Sequence, residues 1–128
     1  MTYAVSDFRG DAAHSIDATG DCVVGDRVAF DRARFGGSYR RPKFAGFERI
    51  EAEIVADSYG AEKQQHTFTL RRADGSLLNI KGRNLYANGV WRAPWADENA
   101  RRAALAEKHA RGDAARAARD ARRAEGFA

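Results

Sequence analysis

Between residues 22 and 92 five short stretches are patterned as strands, and turn chemistry separates most of them. Side chains on a strand point alternately to its two faces, so period two marks a sheet with one face buried. "CVVGDRVAF" opens the series with the β-branched Val23 and Val28 among Val24, Arg27 and Phe30. "ERIEAEIVADSYG" sets Ile50, Ala52 and Ile54 against Glu51 and Glu53, and "DSYG" carries turn residues. "QQHTFTLRR" sets His66, Phe68 and Leu70 against Thr67, Thr69 and Arg71. "LLNIKGRNLY" and "GVWR" complete the run. The Asp-Gly of "ADGS" and the Asn-Gly of "ANG" suit tight turns, where glycine supplies positive φ. Short strands at this spacing predict a small antiparallel barrel or sandwich.

The flanks are different material. Residues 1–21 hold no sustained period and are acidic; they are expected to form a poorly ordered arm, with Tyr3, Val5 and Phe8 as its only anchors. Pro94 ends the sheet region, and residues 96–128 are rich in the helix formers Ala, Arg and Glu behind Asp97, a suitable N-cap. Gly112–Asp113 either divides this helix or sits inside it. At 100° per residue Arg101, Arg102, Lys108, Arg111, Arg116, Arg119, Arg122 and Arg123 share one half of its circumference. Ala103, Ala106, Ala110, Ala114, Ala117, Ala121 and Ala124 line the other. An alanine seam buries too little apolar area to fix a helix on a domain, so the tail is expected to project, to lie on a partner, or to pair with its own copy as a homodimer. Its arginines are expected to be solvated, with internal pairs such as Glu98–Arg102 and Arg116–Asp120. The chain thus divides into an arm (1–21), a sheet domain (22–95) and a helical extension (96–128).

The opening "GDRVAF" strand, the long connector after it, the "EAEIV" strand, the "HTFTLRRADGSLLNIKG" hairpin and the short last strand resemble the SH3-like small barrels, including the KOW type. The resemblance covers residues 22–92. It implies a mainly β chain: a five-stranded SH3-like antiparallel barrel followed by an Ala/Arg-rich helix. It also implies that the long first loop takes part in ligand contact, in barrels that serve nucleic-acid and peptide binders alike.

Charge points to the same loop. The net charge is +4, but residues 1–30 carry −3, residues 31–95 carry +5 and residues 96–128 carry +2. Such asymmetry favours an acidic partner. "RFGGSYRRPKFAGFERI" gathers Arg34, Arg40, Arg41, Lys43 and Arg49 with Phe35, Tyr39, Phe44 and Phe47. Cations of this kind neutralise phosphates, and rings stack on exposed bases. Phe35 and Tyr39 are assigned to the surface, Phe44 and Phe47 to the core; Arg71, Arg72, Lys81 and Arg83 extend the positive face. Trp91 and Trp95 are expected to seal the base of the barrel.

The expected partner is therefore nucleic acid or a ribonucleoprotein. The alternative is an acidic protein surface, as for a small phage- or plasmid-type antagonist of bacterial nucleic-acid machinery or defence. Catalysis, a metal and a cofactor are not expected. The three histidines lie far apart beside a single cysteine, Cys22, without zinc spacing. No nucleophile elbow or Walker phosphate loop is present. One cysteine suits a reducing compartment; with neither a signal peptide nor a membrane span legible, a cytoplasmic protein is expected.

Overall fold

A computed structural model describes residues 5–59 and 66–126, except the side chains of 59, 125 and 126. The chain is mainly β with a C-terminal helix. Strands β1 (Ile16–Asp17), β2 (Arg27–Gly37), β3 (Pro42–Tyr59), β4 (His66–Arg72) and β5 (Leu77–Lys81) precede a one-turn helix, α1 (Gly82–Leu85). Strand β6 (Val90–Arg92) and the long helix α2 (Glu98–Gly126) follow. One antiparallel sheet runs in the order β1-β6-β2-β3-β4-β5.

Among the described residues it has six strands where five were expected, because Ile16 and Asp17 of the lead-in pair with Arg92 and Trp91. It is not closed into a barrel. After β5 the chain turns through α1, and β6 then joins β2 rather than β5. Two further expectations shift. "IKGRNLY" is half strand and half helix, and β3 continues through "DSY", aided by a register shift between Ile54 and Ala56. The connector after Tyr59 lies outside the described residues.

The inner face carries the expected alternation. Val28, Phe30, Ile50, Ile54, Phe68, Leu70, Ile80, Leu85 and Val90 form one buried cluster. Residues between them point the other way, where Ala29, Trp91 and Phe8 form a smaller cluster. Phe8 meets Trp91 edge-on at 5.3 Å, and the Ser6 hydroxyl donates to Asp31 at 2.7 Å. Residues 6–8 are thus held against the sheet; Val5 is exposed and Tyr3 lies outside the described residues.

"CVVGD" forms a turn before β2 rather than the start of a strand. Within it the Asp26 carboxylate, fully buried, accepts from the Val23 amide at 3.0 Å. It also accepts from the Trp95 indole at 2.7 Å and from Arg101 Nε and Nη2, both at 2.9 Å. Arg101 reaches the Asp21 carbonyl as well, and Lys108 Nζ donates to the Cys22 carbonyl at 2.7 Å. Arg111 bonds Asp57 on β3 at 3.0 Å. Helix α2 is therefore docked on the sheet domain by cations, whereas its arginines were expected to be solvated on a tail not fixed to the domain. Arg101, Lys108 and Gly112 are buried, whereas all seven seam alanines are exposed. The helix runs unbroken through Gly112. Its start is held by Asp97, which accepts from the Asn99 amide. Glu98 accepts from Arg92 at 2.7 and 3.0 Å and from the Trp95 amide at 2.7 Å. Internal pairs include Arg111 with Glu107 and Arg116 with Asp113, the latter in place of the expected Arg116–Asp120, while Arg102 bonds Asn99 rather than Glu98.

Breaking a buried pair strands its partner at a cost of about 3–5 kcal/mol. Asp26→Ala is expected to lose about that much in urea unfolding and to release α2, read as lost helical circular dichroism. Glu98 provides a pH-dependent counterpart. Hydrogen bonds from Arg92, then from the Trp95 amide, hold its pKa at about 2 against an ordinary 4.5. A depressed carboxylate contributes stability that is present above pH 4.5 and is lost as pH falls towards 2. Wild type is thus expected to be more stable than Glu98→Gln at pH 6, with the gap closing by pH 2.

Candidate functional site

The basic "loop" is a ribbon. Strands β2 and β3 stay paired from Arg27–Glu53 out to Gly37–Pro42, with only residues 38–41 as the turn. Neighbouring strands cover just the inner part. β6 pairs with Val28 to Phe30, and β4 pairs with Ala52 to Tyr59. From Arg32 on β2 and Arg49 on β3, two strands extend without a third.

A bulge shapes the ribbon. Between the pairs Ala33–Phe47 and Phe35–Phe44, β3 contains one residue more than β2. Gly46 absorbs it at φ +103°, a conformation that side chains resist. Phe44 and Phe47, three residues apart, consequently point the same way. Phe44 meets Phe47 edge-on at 5.1 Å and Phe35 at 6.2 Å. Both rings were assigned to the core from the sequence. Instead Phe44 is 45% exposed and Phe47 half-buried, because no third strand or helix among the described residues covers this face. Phe35 and Tyr39 are exposed as expected, at 66% and fully.

The cations divide into two groups. Arg34, Arg40, Arg41 and Lys43 are exposed on the ribbon and make no salt bridge among the described residues, although Arg34 adds to the field on Glu48. Lys81, at the end of β5, and Arg83, on α1, are likewise exposed and unpaired there. The others are engaged. Arg49 bonds Asp31 at 2.5 Å and lies 3.5 Å from the centre of the Phe8 ring. Arg72 and Arg32 share Glu48, at 3.4 and 3.1 Å, and Arg71 bonds Glu53 at 3.3 Å. Burial pushes the Asp31 and Glu48 carboxyls up, but the arginines beside them prevail and hold both below their ordinary values. The single patch expected from sequence is thus reduced to the outer ribbon and the β5–α1 corner.

Between these two regions lies a cleft of about 460 Å³, beside the β2 edge that β6 leaves uncovered. Phe35, Lys81, Asn79, Asn84 and Asn88 line it around Ile80. The three asparagines were missed; their crowding into residues 79–88 was the available signal, and Asn88 was read as a turn residue alone. Structure also brings together Asp11, His14 and Glu51, with one ligand atom each within 4.8 Å of the others. That trio is the one place among the described residues with donors for a cation, and its carboxylates are exposed. Burial pushes the Cys22 thiol up to about 12, which removes it as a nucleophile. No helix among the described residues is long and apolar enough to cross a membrane.

The chain belongs to a family of unknown function: residues 18–95 match the domain of unknown function DUF7699. That span begins at the end of the lead-in and stops at Trp95, so it contains strands β2 to β6 with the ribbon and the cleft, and leaves out β1 and α2. A rice protein (Oryza sativa subsp. japonica), zinc finger CCCH domain-containing protein 62, is 38% identical across 95% of the chain. The chain matches only 18% of that protein's length. No solved structure matches the chain.

The bulge generates a prediction. A Cβ on Gly46 meets nothing within 4 Å, so its cost is conformational only. Gly46→Ala is expected to lose about 1–3 kcal/mol in chemical unfolding. It should also weaken the near-ultraviolet dichroism of the ring row, with far-ultraviolet signals from α2 unchanged.

Proposed function

We propose that the chain binds nucleic acid, alone or within a ribonucleoprotein, through the outer β2–β3 ribbon and without catalysis. The sorting of charge carries this reading. Most arginines on the sheet and on the first half of α2 are engaged by carboxylates or backbone carbonyls, whereas Arg34, Arg40, Arg41 and Lys43 stand without carboxylate partners beside exposed rings. Unpaired cations bring the counterion release that drives association with phosphate. A two-stranded ribbon is narrow enough for a major groove about 12 Å wide, and its rings suit unpaired bases. The sequence resemblance to SH3-like barrels agrees with the reading, since residues 34–50 follow its opening strand and the resemblance implies a ligand-contacting loop there.

The rice relative's name does not extend to a zinc site in this chain. A CCCH set requires three cysteines, and Cys22 stands alone. The buried cysteine agrees with a reducing compartment such as the cytoplasm. The exposed alanine face of α2 favours a second reading, in which that helix docks on a protein partner or on its own copy while the ribbon meets an acidic surface.

Gel-shift titration with single- and double-stranded DNA and RNA tests the proposal. Retention should fall steeply as salt rises. Arg40→Glu, Arg41→Glu and Lys43→Glu together should weaken binding at least 100-fold and reduce the salt slope by about three, with an unchanged unfolding midpoint. Absence of salt-sensitive retention on every nucleic acid overturns the proposal. A protein partner that survives nuclease digestion in a pull-down identifies the second reading.

A further inference from the structure

The cleft at the foot of the ribbon has an arrangement of groups that the proposed contact surface does not use. Its apolar floor is lined by the buried Ile80 with Ala33 and Ala87, and Phe35 lines it as well. Three carboxamides surround that floor. Asn79 receives the Thr69 hydroxyl on Oδ1 at 2.8 Å, which leaves its amide nitrogen as an uncommitted donor. Asn88 spends Nδ2 on the Asp31 carbonyl at 3.1 Å, which leaves its Oδ1 as an uncommitted acceptor. Both amides are thereby fixed in orientation, one offering hydrogens and the other lone pairs. Asn84 is exposed and makes no hydrogen bond with any described residue. Lys81 adds a cation without a carboxylate partner, beside Arg32, which Glu48 engages; no carboxylate is among the lining residues.

An apolar floor, a ring, a fixed donor and acceptor, and a cation without a competing acid are complementary to one chemical class: a planar heterocycle with polar edges and an attached phosphate. We infer that the cleft receives a single unpaired base of a nucleic acid held by the ribbon, with Asn79, Asn84 and Asn88 meeting the base edge, Phe35 its face and Lys81 the phosphate. The inference rests on the ribbon reading and adds to it a preference for single strands. A duplex buries both the edges and the faces of its bases, and only an unpaired base offers them together. The ribbon's cations, in contrast, meet phosphates of either form.

Fluorescence anisotropy of the full chain with a labelled 12-nucleotide RNA, the same DNA sequence and their duplexes provides the test. Single strands should bind at least tenfold tighter than duplexes. Asn84→Ala and Asn84→Leu should each lower single-strand affinity about tenfold while leaving duplex affinity and salt slope unchanged. In amide spectra, the side-chain resonances of Asn79, Asn84 and Asn88 should shift with the single strand and stay in place with the duplex. Equal affinity for both forms, with the two variants indistinguishable from wild type, overturns the cleft inference and leaves the ribbon proposal standing. A free mononucleotide that binds as tightly as the 12-mer overturns it in favour of a nucleotide site. An acidic peptide that shifts the same resonances when no oligonucleotide binds overturns both.

Discussion

A buried carboxylate is tolerable only when its lone pairs are occupied by donors that also offset its charge. Asp26 meets that demand with donors from three segments at once: the Val23 amide of its own turn, the Trp95 indole after β6, and two nitrogens of Arg101 in α2. One side chain therefore fixes where β2 begins, where the last strand leads and which side of the helix faces the sheet. Gly25 completes the joint: a Cβ there would stand 2.8 Å from the Trp95 ring at a φ of +102°. With Arg101 turned inward, the residues seven and eleven positions later, Lys108 and Gly112, follow onto the same stripe. Lys108 then reaches the Cys22 carbonyl, and Gly112, one turn on, is buried.

This joint determines what the positive charge is for. A net charge counts Arg101, Lys108 and Arg111 equally with Arg40, Arg41 and Lys43, yet the first three are bound to carboxylates or carbonyls of the same chain. Arg49, Arg71 and Arg72 are similarly absorbed on the sheet. Apart from Arg27 at the start of β2, what remains among the described residues of the sheet domain is concentrated on a ribbon and on the corner opposite it. The field that an anionic partner meets there is narrower than composition suggests.

The sheet was legible because its inner face obeys period two: Ile50 and Ile54, and Phe68 and Leu70, are fully buried as their spacing demands. Asp97 as a helix cap was legible for a similarly local reason. The orientation of α2 was not. Helical spacing separates an arginine half from an alanine half, but which half turns inward depends on Asp26, 75 residues away in sequence. The ribbon was hidden by its own composition. Glycines, a proline and cations read as a connector, and a bulge at Gly46 breaks the alternation that would have marked a strand. Phe44 and Phe47 then looked like core residues, since apolar rings are usually covered; here the covering strand is missing. The cleft was invisible because its walls come from β2 and from the β5–α1 corner, which are distant along the chain.

A ribbon of two strands is marginal by itself, because each edge exchanges ladder hydrogen bonds for water. What holds this one together past Arg49 is the row Phe35–Phe44–Phe47, whose edge-on contacts contribute about 0.5–1.5 kcal/mol each. Those same rings are the apolar surface that the ribbon offers to a partner. Order and recognition are thus coupled physically: contacts that straighten the ribbon also display its stacking faces, and a ligand seated on them stiffens the strands beneath. The cations at the tip gain from this, since a rigid turn presents Arg40, Arg41 and Lys43 at fixed spacing rather than as a diffuse cloud. A substitution among the rings therefore acts on binding through two routes, lost stacking and lost order. The Asn84 site at the foot of the ribbon separates them, because it touches the ligand without supporting the strands.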